Sequence, residues 1–307
     1  MKVAVIGIGG VGGYLAGVMG KNLPELTIVA RGARGEYMKE HGLTLHSDYK
    51  GEITVHPKVV TQAADLEPQD VIFVCVKNYS LEKVCEGLKN VVTKDTIIVP
   101  VMNGVDPGDR IRAMLPGIRV VDSLIYIVAF SNPDYTSTQK QNFANLRIGI
   151  MNPNEEEKKA VETVAKVLAE GDVDAIVAED IQCEIWRKYI LNCAYNVSTA
   201  RYNCPIGPIR EDSAKAADYE ALVNEAAAVG LAQGVHLLQE HIDHVIWRFY
   251  YDHAYNASSS FQRDVAAGRI TEIETFSGYI VKTAEKLGVD VPVSKKYYEE
   301  LLAQGIR

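Results

Sequence analysis

The sequence of 307 residues lacks the features that mark several broad classes of protein. Its five cysteines include no CxxC pair, and an odd number cannot all be paired, so we expect no disulfide framework. We expect reduced thiols, as in cytoplasmic proteins. The 40 acidic residues outnumber the 32 lysines and arginines, and the resulting net charge of -8 gives no long-range attraction for nucleic acid or an anionic membrane. We therefore expect a cytoplasmic chain with neither nucleic acid nor a membrane as its partner.

Metal ligands and long apolar segments are also scarce. His241 and His244 are the one close pair among seven histidines, and no matching cysteine or carboxylate set accompanies them. We therefore expect no metal site. Residues 3–20 are uncharged, but seven of these eighteen are glycine and no A-x-A cleavage site is present. The segment is therefore predicted to be neither a membrane helix nor a signal peptide.

What the sequence does contain is a glycine loop in a strand-turn-helix setting. The apolar run Val3 to Ile6 leads into a GxGxxG pattern, and a helical segment follows. Such a loop lets the backbone approach a pyrophosphate and aims free N–H groups of the helix at it. A dinucleotide cofactor is the first hypothesis, with binding residues Gly7, Ile8, Gly9, Gly10, Val11 and Gly12.

The second strand lacks the acidic residue that usually binds the ribose of NAD. The run Leu26 to Ala30 ends instead in Arg31, with Arg34 close behind. A guanidinium offers a planar, bidentate contact to phosphate, so Arg31 is predicted to bind the 2'-phosphate of NADPH.

Alternating apolar runs and helical segments predict an α/β fold in the first half of the chain. The predicted strands of this doubly wound Rossmann-type sheet are Val3–Ile6, Leu26–Ala30, Val71–Val76, Ile97–Val101 and Val120–Ile127. After one more short strand at Asp174–Val177 the pattern is helical, with long helices at 155–170, 181–202, 213–233, 237–253 and 271–287. We predict an NADP-binding domain over residues 1–178 and an all-α substrate domain over residues 179–307.

Two polar residues follow strands of the predicted sheet. Lys77 follows the strand Val71–Val76, and Asn103, with Gly104, follows Ile97–Val101. Ligands bind at the carboxyl ends of such strands, so both residues are predicted to lie at the cofactor crevice.

A polar stripe runs along the predicted helix 181–202. Glu184, Lys188, Asn192 and Asn196 recur every four residues on an otherwise apolar helix. An ion pair of Glu184 with Lys188 would stabilise the helix by only about 0.2–0.5 kcal/mol and leaves the asparagines unexplained. A buried cleft that receives a polar substrate explains all four, with Lys188 as the candidate acid.

A second polar group comes from the end of the chain. Ser260 is predicted to donate to a substrate oxygen, and Glu272 to anchor a substrate hydroxyl or the lysine. Thr271 and Glu274 have the spacing of a capping box, which would begin the last long helix at residue 271.

Taken together, these motifs resemble the ketopantoate reductase (2-dehydropantoate 2-reductase) family over nearly the whole chain. The most specific stretch is Ile185 to Asn196, with Asn203 to Gly207 after it. The resemblance implies NADPH-dependent reduction of 2-dehydropantoate to pantoate, and it implies these roles: Lys188 as general acid, Glu272 assisting, Asn103 holding substrate and cofactor, and Asn192, Asn196 and Ser260 binding substrate.

The chain also departs from the family pattern. Residues 123–147 contain no glycine where the family usually has several, Ala257 stands where asparagine is common, and Arg263 replaces glutamine. Two other functions stay open: an NADPH-dependent reductase of another 2-oxo or 3-hydroxy acid, and an NADPH sensor without catalysis. The oligomeric state is open as well, a homodimer being one option.

Overall fold

The computed structural model describes all 307 residues, which divide into two compact units, Met1–Ile181 and Gln182–Arg307. The prediction of a Rossmann-type sheet followed by an all-α domain is confirmed. The functional domains predicted over residues 1–178 and 179–307 remain a prediction, since the two units describe compactness and not function. No helix is long and apolar enough to cross a membrane.

The first unit contains eleven strands and five α-helices. The strands are β1 Val3–Ile6, β2 Leu26–Val29, β3 Leu43–Ser47, β4 Gly51–Val55, β5 Lys58–Val60, β6 Val71–Val74, β7 Ile97–Pro100, β8 Arg119–Val120, β9 Asp122–Ser131, β10 Ser137–Gly149 and β11 Ala175–Val177. The helices are α1 Gly10–Met19, α2 Gly32–His41, α3 Leu81–Leu88, α4 Pro107–Met114 and α5 Glu155–Glu170, with short 3-10 turns at Ala63–Asp65 and Asn78–Ser80.

Six strands form a parallel sheet in the order β5-β2-β1-β6-β7-β8. Its central strands are fully buried because helices cover both faces, which is why they read as continuous apolar runs. Val3 and Val5 belong to a core on one face of the sheet, and Ala4 and Ile6 belong to a core on the other. The carboxyl ends of β1, β2, β6 and β7 therefore lie along one edge.

Residues 120–127 are extended, as predicted, but the prediction that they form one strand of the parallel sheet is wrong. The parallel sheet ends with the two residues of β8, and β9 pairs antiparallel with β10 in a second sheet, ordered β11-β10-β3-β4. An apolar run identifies a strand but not the strand beside it. The glycine-free segment 123–147 thus forms most of a long hairpin. Helix α1 packs between this hairpin and the parallel sheet.

The second unit consists of helices. They are α6 Ile181–Tyr202, α7 Ile206–Glu211, α8 Ser213–Ala232, α9 Gln239–Tyr251, α10 Ser260–Ala266, α11 Tyr279–Leu287 and α12 Pro292–Ala303. The long helices α6, α8 and α9 lie where the apolar periodicity predicts them. Three helices escaped prediction: α12, of twelve residues, and the short helices α7 and α10, whose six or seven residues carry too few turns to show a period.

The predicted helix 271–287 is wrong at its beginning. Residues Glu274–Gly278 form a π-helical turn, and α11 begins only at Tyr279. No capping box forms, because Glu274 binds Lys282 and Tyr298, and the Thr271 hydroxyl accepts from the backbone N–H of Ile273. π-Helical turns are rare and are frequently found at functional sites, so this turn makes the adjacent segment with Glu272 a candidate functional segment.

Candidate active site

The glycine loop connects β1 to α1. Gly7 has a φ of +92°, and a side chain at Gly12 would lie 2.0 Å from the Gly7 carbonyl oxygen, so strand and helix come into backbone contact there. Gly9, the residue before α1, faces open space, and the first turn of the helix carries no acidic residue. The loop therefore has room for a pyrophosphate at a helix N-terminus, where N–H groups bind anions.

The next glycine has a different reason to lack a side chain. A Cβ at Gly10 would lie 2.5 Å from the backbone of Ala129 in β9. The hairpin thus crosses directly beside the loop, a contact that the sequence pattern did not reveal.

Arg31 and Arg34 differ sharply in their surroundings. Arg31 ends β2 and precedes α2, where its exposed side chain makes no hydrogen bond or ion pair. The Arg34 guanidinium donates to the carbonyl oxygens of Tyr135 and Asn132 at 3.2 and 3.5 Å and lies over the Tyr135 ring. Arg31 is therefore the cation left at this strand end for a ligand.

The structure brings Lys77 and Asn103 to neighbouring strand ends, because β6 and β7 are adjacent and parallel. A residue absent from the sequence prediction joins the two loops. The buried amide of Asn78 donates to the carbonyl oxygen of Asn103 at 2.8 Å, and Arg110 of α4 donates to the Asn78 side-chain oxygen at 3.3 Å. Asn78 directly follows Lys77 in the chain, and this adjacency was the available signal.

In the helical unit, Lys188 lies half-buried on α6. Loss of solvent lowers the pKa of its ammonium to about 8, and the nearby carboxylate of Glu272, which is buried, acts in the opposite direction. Glu184, the candidate helical partner of Lys188, instead pairs with Arg187 at 3.2 Å. Lys188 and Glu272 are thus two groups of opposite charge, of which the carboxylate is buried and the ammonium half-buried.

The two asparagines of the polar stripe, Asn192 and Asn196, belong to a directed chain of hydrogen bonds. The Ser260 hydroxyl donates to Oδ1 of Asn196 at 3.3 Å, and the backbone N–H of Phe261 donates to the same oxygen at 3.4 Å. The Asn196 amide then donates to Oδ1 of Asn192 at 3.2 Å. Because each asparagine oxygen already accepts from within the protein, Asn192 presents its amide N–H groups, which have no acceptor.

This direction changes what Ser260 offers. Its one hydroxyl hydrogen is directed at Asn196, so in this arrangement the oxygen presents lone pairs, and donation to a substrate oxygen stays a prediction. The preceding residue holds Ser260 in place, because the Ser259 hydroxyl accepts from the backbone N–H of Gln262 at 3.0 Å and from the hydroxyl of Thr199 on α6 at 2.7 Å.

No group of three or more side chains that could together hold a metal ion is present in the chain.

Comparison with known proteins places both units in one family. Residues 3–153 match the family described as Ketopantoate reductase PanE/ApbA, and residues 180–304 match Ketopantoate reductase PanE/ApbA C terminal. The relative named uncharacterized oxidoreductase YkpB, from Bacillus subtilis, is 27% identical over 301 residues, which is 98% of each chain. A 2-dehydropantoate 2-reductase of Streptococcus pyogenes is 27% identical over 265 residues, 85% of this chain and 84% of the relative.

Solved structures show the same fold. A PanE/ApbA family ketopantoate reductase from Ralstonia eutropha aligns with a TM-score of 0.89 and 24% identity over 99% of this chain and 98% of its own. D-Mandelate dehydrogenase, solved with NADH and anilino(oxo)acetate, aligns with a TM-score of 0.87 and 22% identity over the same shares. With the family matched over most of its length, this chain belongs to the ketopantoate reductase family of oxidoreductases.

Proposed function

We propose that this protein reduces 2-dehydropantoate (ketopantoate) to pantoate with NADPH, and that Lys188 is the general acid. The observation that carries the proposal is a lysine whose pKa burial lowers to about 8, close to the buried carboxylate of Glu272 and one helical turn before the amide of Asn192. An acid is most effective when its pKa lies near the working pH, and few lysines meet that condition.

The first unit supplies the residues for the cofactor. The glycine loop, Gly7 to Gly12, with the N-terminal amides of α1 would hold the pyrophosphate, and Arg31 would bind the 2'-phosphate. Lys77 and Asn103 lie at the next strand ends, where the nicotinamide half of a dinucleotide is bound in such sheets. When bound, NADPH supplies the hydride that reduces the carbonyl carbon.

Lys188 supplies the proton. As the ketone is reduced, negative charge develops on its oxygen, and the ammonium of Lys188 stabilises that charge and then transfers a proton to it. A positioned acid of this kind accelerates a reaction about 10²- to 10⁴-fold. The role of Glu272 is to favour the protonated form of Lys188, which burial alone would weaken.

The remaining polar groups would recognise the substrate. The free amide N–H groups of Asn192 suit a carboxylate, because anions are bound by donors. The lone pairs of Ser260 suit the 4-hydroxyl of ketopantoate, a donor that the deoxy analogue lacks. Asn103 would hold substrate and cofactor together, and Asn196 would hold substrate while orienting Asn192.

The test compares two substrates. NADPH oxidation is followed with ketopantoate and with 2-oxo-3,3-dimethylbutanoate, which lacks the hydroxyl, and we expect kcat/KM to favour ketopantoate by at least about a hundredfold. Ser260→Ala should narrow this ratio, whereas Ser258→Ala, an exposed serine of the same segment, should not. An unaltered protein indifferent to the hydroxyl would contradict ketopantoate as the substrate.

One observation favours a second candidate, a reductase for another acid. The hairpin β9–β10 carries the exposed apolar side chains Val128, Phe130 and Phe143, where the family usually has glycines. Phenylglyoxylate, the 2-oxo acid that corresponds to mandelate, therefore belongs in the assay, as do 3-hydroxy acids with NADP. Absence of turnover with every acid would favour the sensor. The five free cysteines support cytoplasmic localisation for all three functions.

A further inference from the structure

The segment that carries Glu272 has an unusual backbone. Glu272 lies two residues before the π-helical turn Glu274–Gly278, and its carbonyl oxygen accepts from the backbone N–H groups of Thr275 and Phe276 at 3.0 and 3.1 Å. The position of the Glu272 backbone is therefore tied to the first residues of the turn Glu274–Gly278.

Two side chains of α6 bind this turn. The hydroxyl of Tyr189 donates to the carbonyl oxygen of Thr275 at 2.5 Å, and the thiol of Cys193 donates to the carbonyl oxygen of Phe276 at 3.3 Å. Both side chains are buried, with 1% and 4% of their surface exposed. A donor buried at this depth needs its acceptor, so both contacts constrain where the turn lies.

The spacing on α6 connects the two contacts to the acid. Tyr189 and Cys193 are one helical turn apart, and each directly follows a member of the polar stripe, Lys188 or Asn192. The two rows run side by side along the helix, one carrying the proposed acid and the other holding the segment of its carboxylate partner.

We propose that Tyr189 and Cys193 are positioning residues that hold the π-helical turn against α6 and so fix Glu272 beside Lys188. This inference rests on the proposed function only for its catalytic consequence. Glu272 is the carboxylate whose charge raises the pKa of Lys188 against the effect of burial. Displacing Glu272 would therefore leave burial unopposed, and Lys188 would lose its proton at lower pH.

The test measures the pKa of Lys188 without using the reaction. The rate at which trace acetic anhydride labels Lys188 is followed against pH by peptide mass spectrometry. Glu272→Gln sets the limit, and the pKa should fall by about one pH unit or more. Tyr189→Phe and Cys193→Ala should move it in the same direction, whereas Cys193→Ser, which keeps a donor, should stay near the unaltered protein.

A matched control lies on the same helix. Tyr202→Phe also removes a hydrogen-bonded hydroxyl, in its case one bound to Tyr297 of α12 at 2.6 Å, and it should leave Lys188 unchanged. Adding Tyr189→Phe to Glu272→Gln should produce no further shift. In catalysis, Tyr189→Phe should move the high-pH fall of kcat to lower pH without changing KM for NADPH.

The outcomes separate the two proposals. Folded Tyr189→Phe and Cys193→Ala proteins with the pKa of the unaltered chain would overturn the positioning role, even if their activity were low. If Tyr189→Phe does not fold, the Cys193→Ala and Cys193→Ser pair decides in the same way. A shifted pKa in a protein that reduces no 2-oxo acid would support the positioning role and reject the proposed function.

Discussion

At the scale of single residues, the chemistry depends on which polar atoms are already used. Arg34 and Arg31 are three positions apart, yet the first is bound to the hairpin and the second is free. Ser260 likewise gives its one hydroxyl hydrogen to Asn196, whose oxygen also accepts from the backbone N–H of Phe261. A residue type in a motif therefore specifies what a side chain could do, and its partners specify what it is left to do.

Lys188 gives a prediction in pH at this scale. The acid works while protonated, so kcat/KM should be level below a pH of about 8 and fall about tenfold for each pH unit above it. Lys188→Ala should lower kcat at least about a hundredfold with little effect on NADPH affinity. Lys188→Arg keeps the charge but gives up no proton in this range, so kcat should be low as in Lys188→Ala, and the residual rate should not fall above a pH of about 8. Normal turnover by Lys188→Ala would move the acid elsewhere, with Lys77 the next candidate.

At the scale of elements, the hairpin β9–β10 and the glycine loop constrain each other. The loop bends between β1 and α1 to leave room for a ligand at Gly9, while Gly10 leaves room for β9. Gly10 is therefore required by the packing of the fold, whereas the role that we propose for Gly9 is in binding the cofactor.

This separation predicts opposite behaviour of two similar variants. Gly10→Ala would drive a Cβ into the backbone of β9, which cannot move as easily as a side chain, so unfolding should become easier by about 1–3 kcal/mol. Gly9→Ala meets nothing within 4 Å in the ligand-free protein and should unfold normally but bind NADPH more weakly. Thermal unfolding and NADPH titration of both variants measure the difference, and equal loss of stability in the two would contradict it.

At the scale of the whole molecule, the net charge of the protein has the same sign as the charge of the proposed cofactor. The chain carries a net charge of -8, so an anionic cofactor gains nothing from the overall field and must be held by local cations and helix amides. Arg31 is the exposed cation at the strand end that would meet the 2'-phosphate, and α2 begins there without an acidic residue.

The expected consequence is a preference for NADPH that one substitution removes. A charge-assisted contact contributes about 1.5–3 kcal/mol, equivalent to about ten- to a hundredfold in affinity. Arg31→Ala should weaken NADPH by that factor and leave NADH nearly unchanged, whereas Arg34→Ala should chiefly loosen the hairpin. Because a ligand stabilises the state that binds it, the shift in thermal midpoint with each cofactor reports both affinities. Equal effects of Arg31→Ala on the two cofactors would reject this role.

Much of the architecture was accessible from local pattern. Continuous apolar runs identify the buried parallel strands, because a strand covered on both faces has no polar side to show. Four-residue spacing identifies α6 and its polar stripe, because residues three or four apart share a helix face. The glycine pattern likewise identifies the strand-turn-helix loop. Each of these properties is fixed within a few turns or one strand, and so it is written in consecutive residues.

Other properties were decided only by tertiary structure, because they depend on residues far apart in the chain. The partner of β9, the use of Arg34 by the hairpin and the joining of two strand ends by Asn78 involve contacts that no local period records. The π-helical turn accepts hydrogen bonds from side chains of α6, which lie more than eighty residues away in sequence from the carbonyl groups they bind. The sequence thus determined which chemical groups the protein contains and on which helices and strands they lie. Packing decided which of their atoms remain available, since a hydrogen bond already made to a distant segment cannot also be made to a ligand.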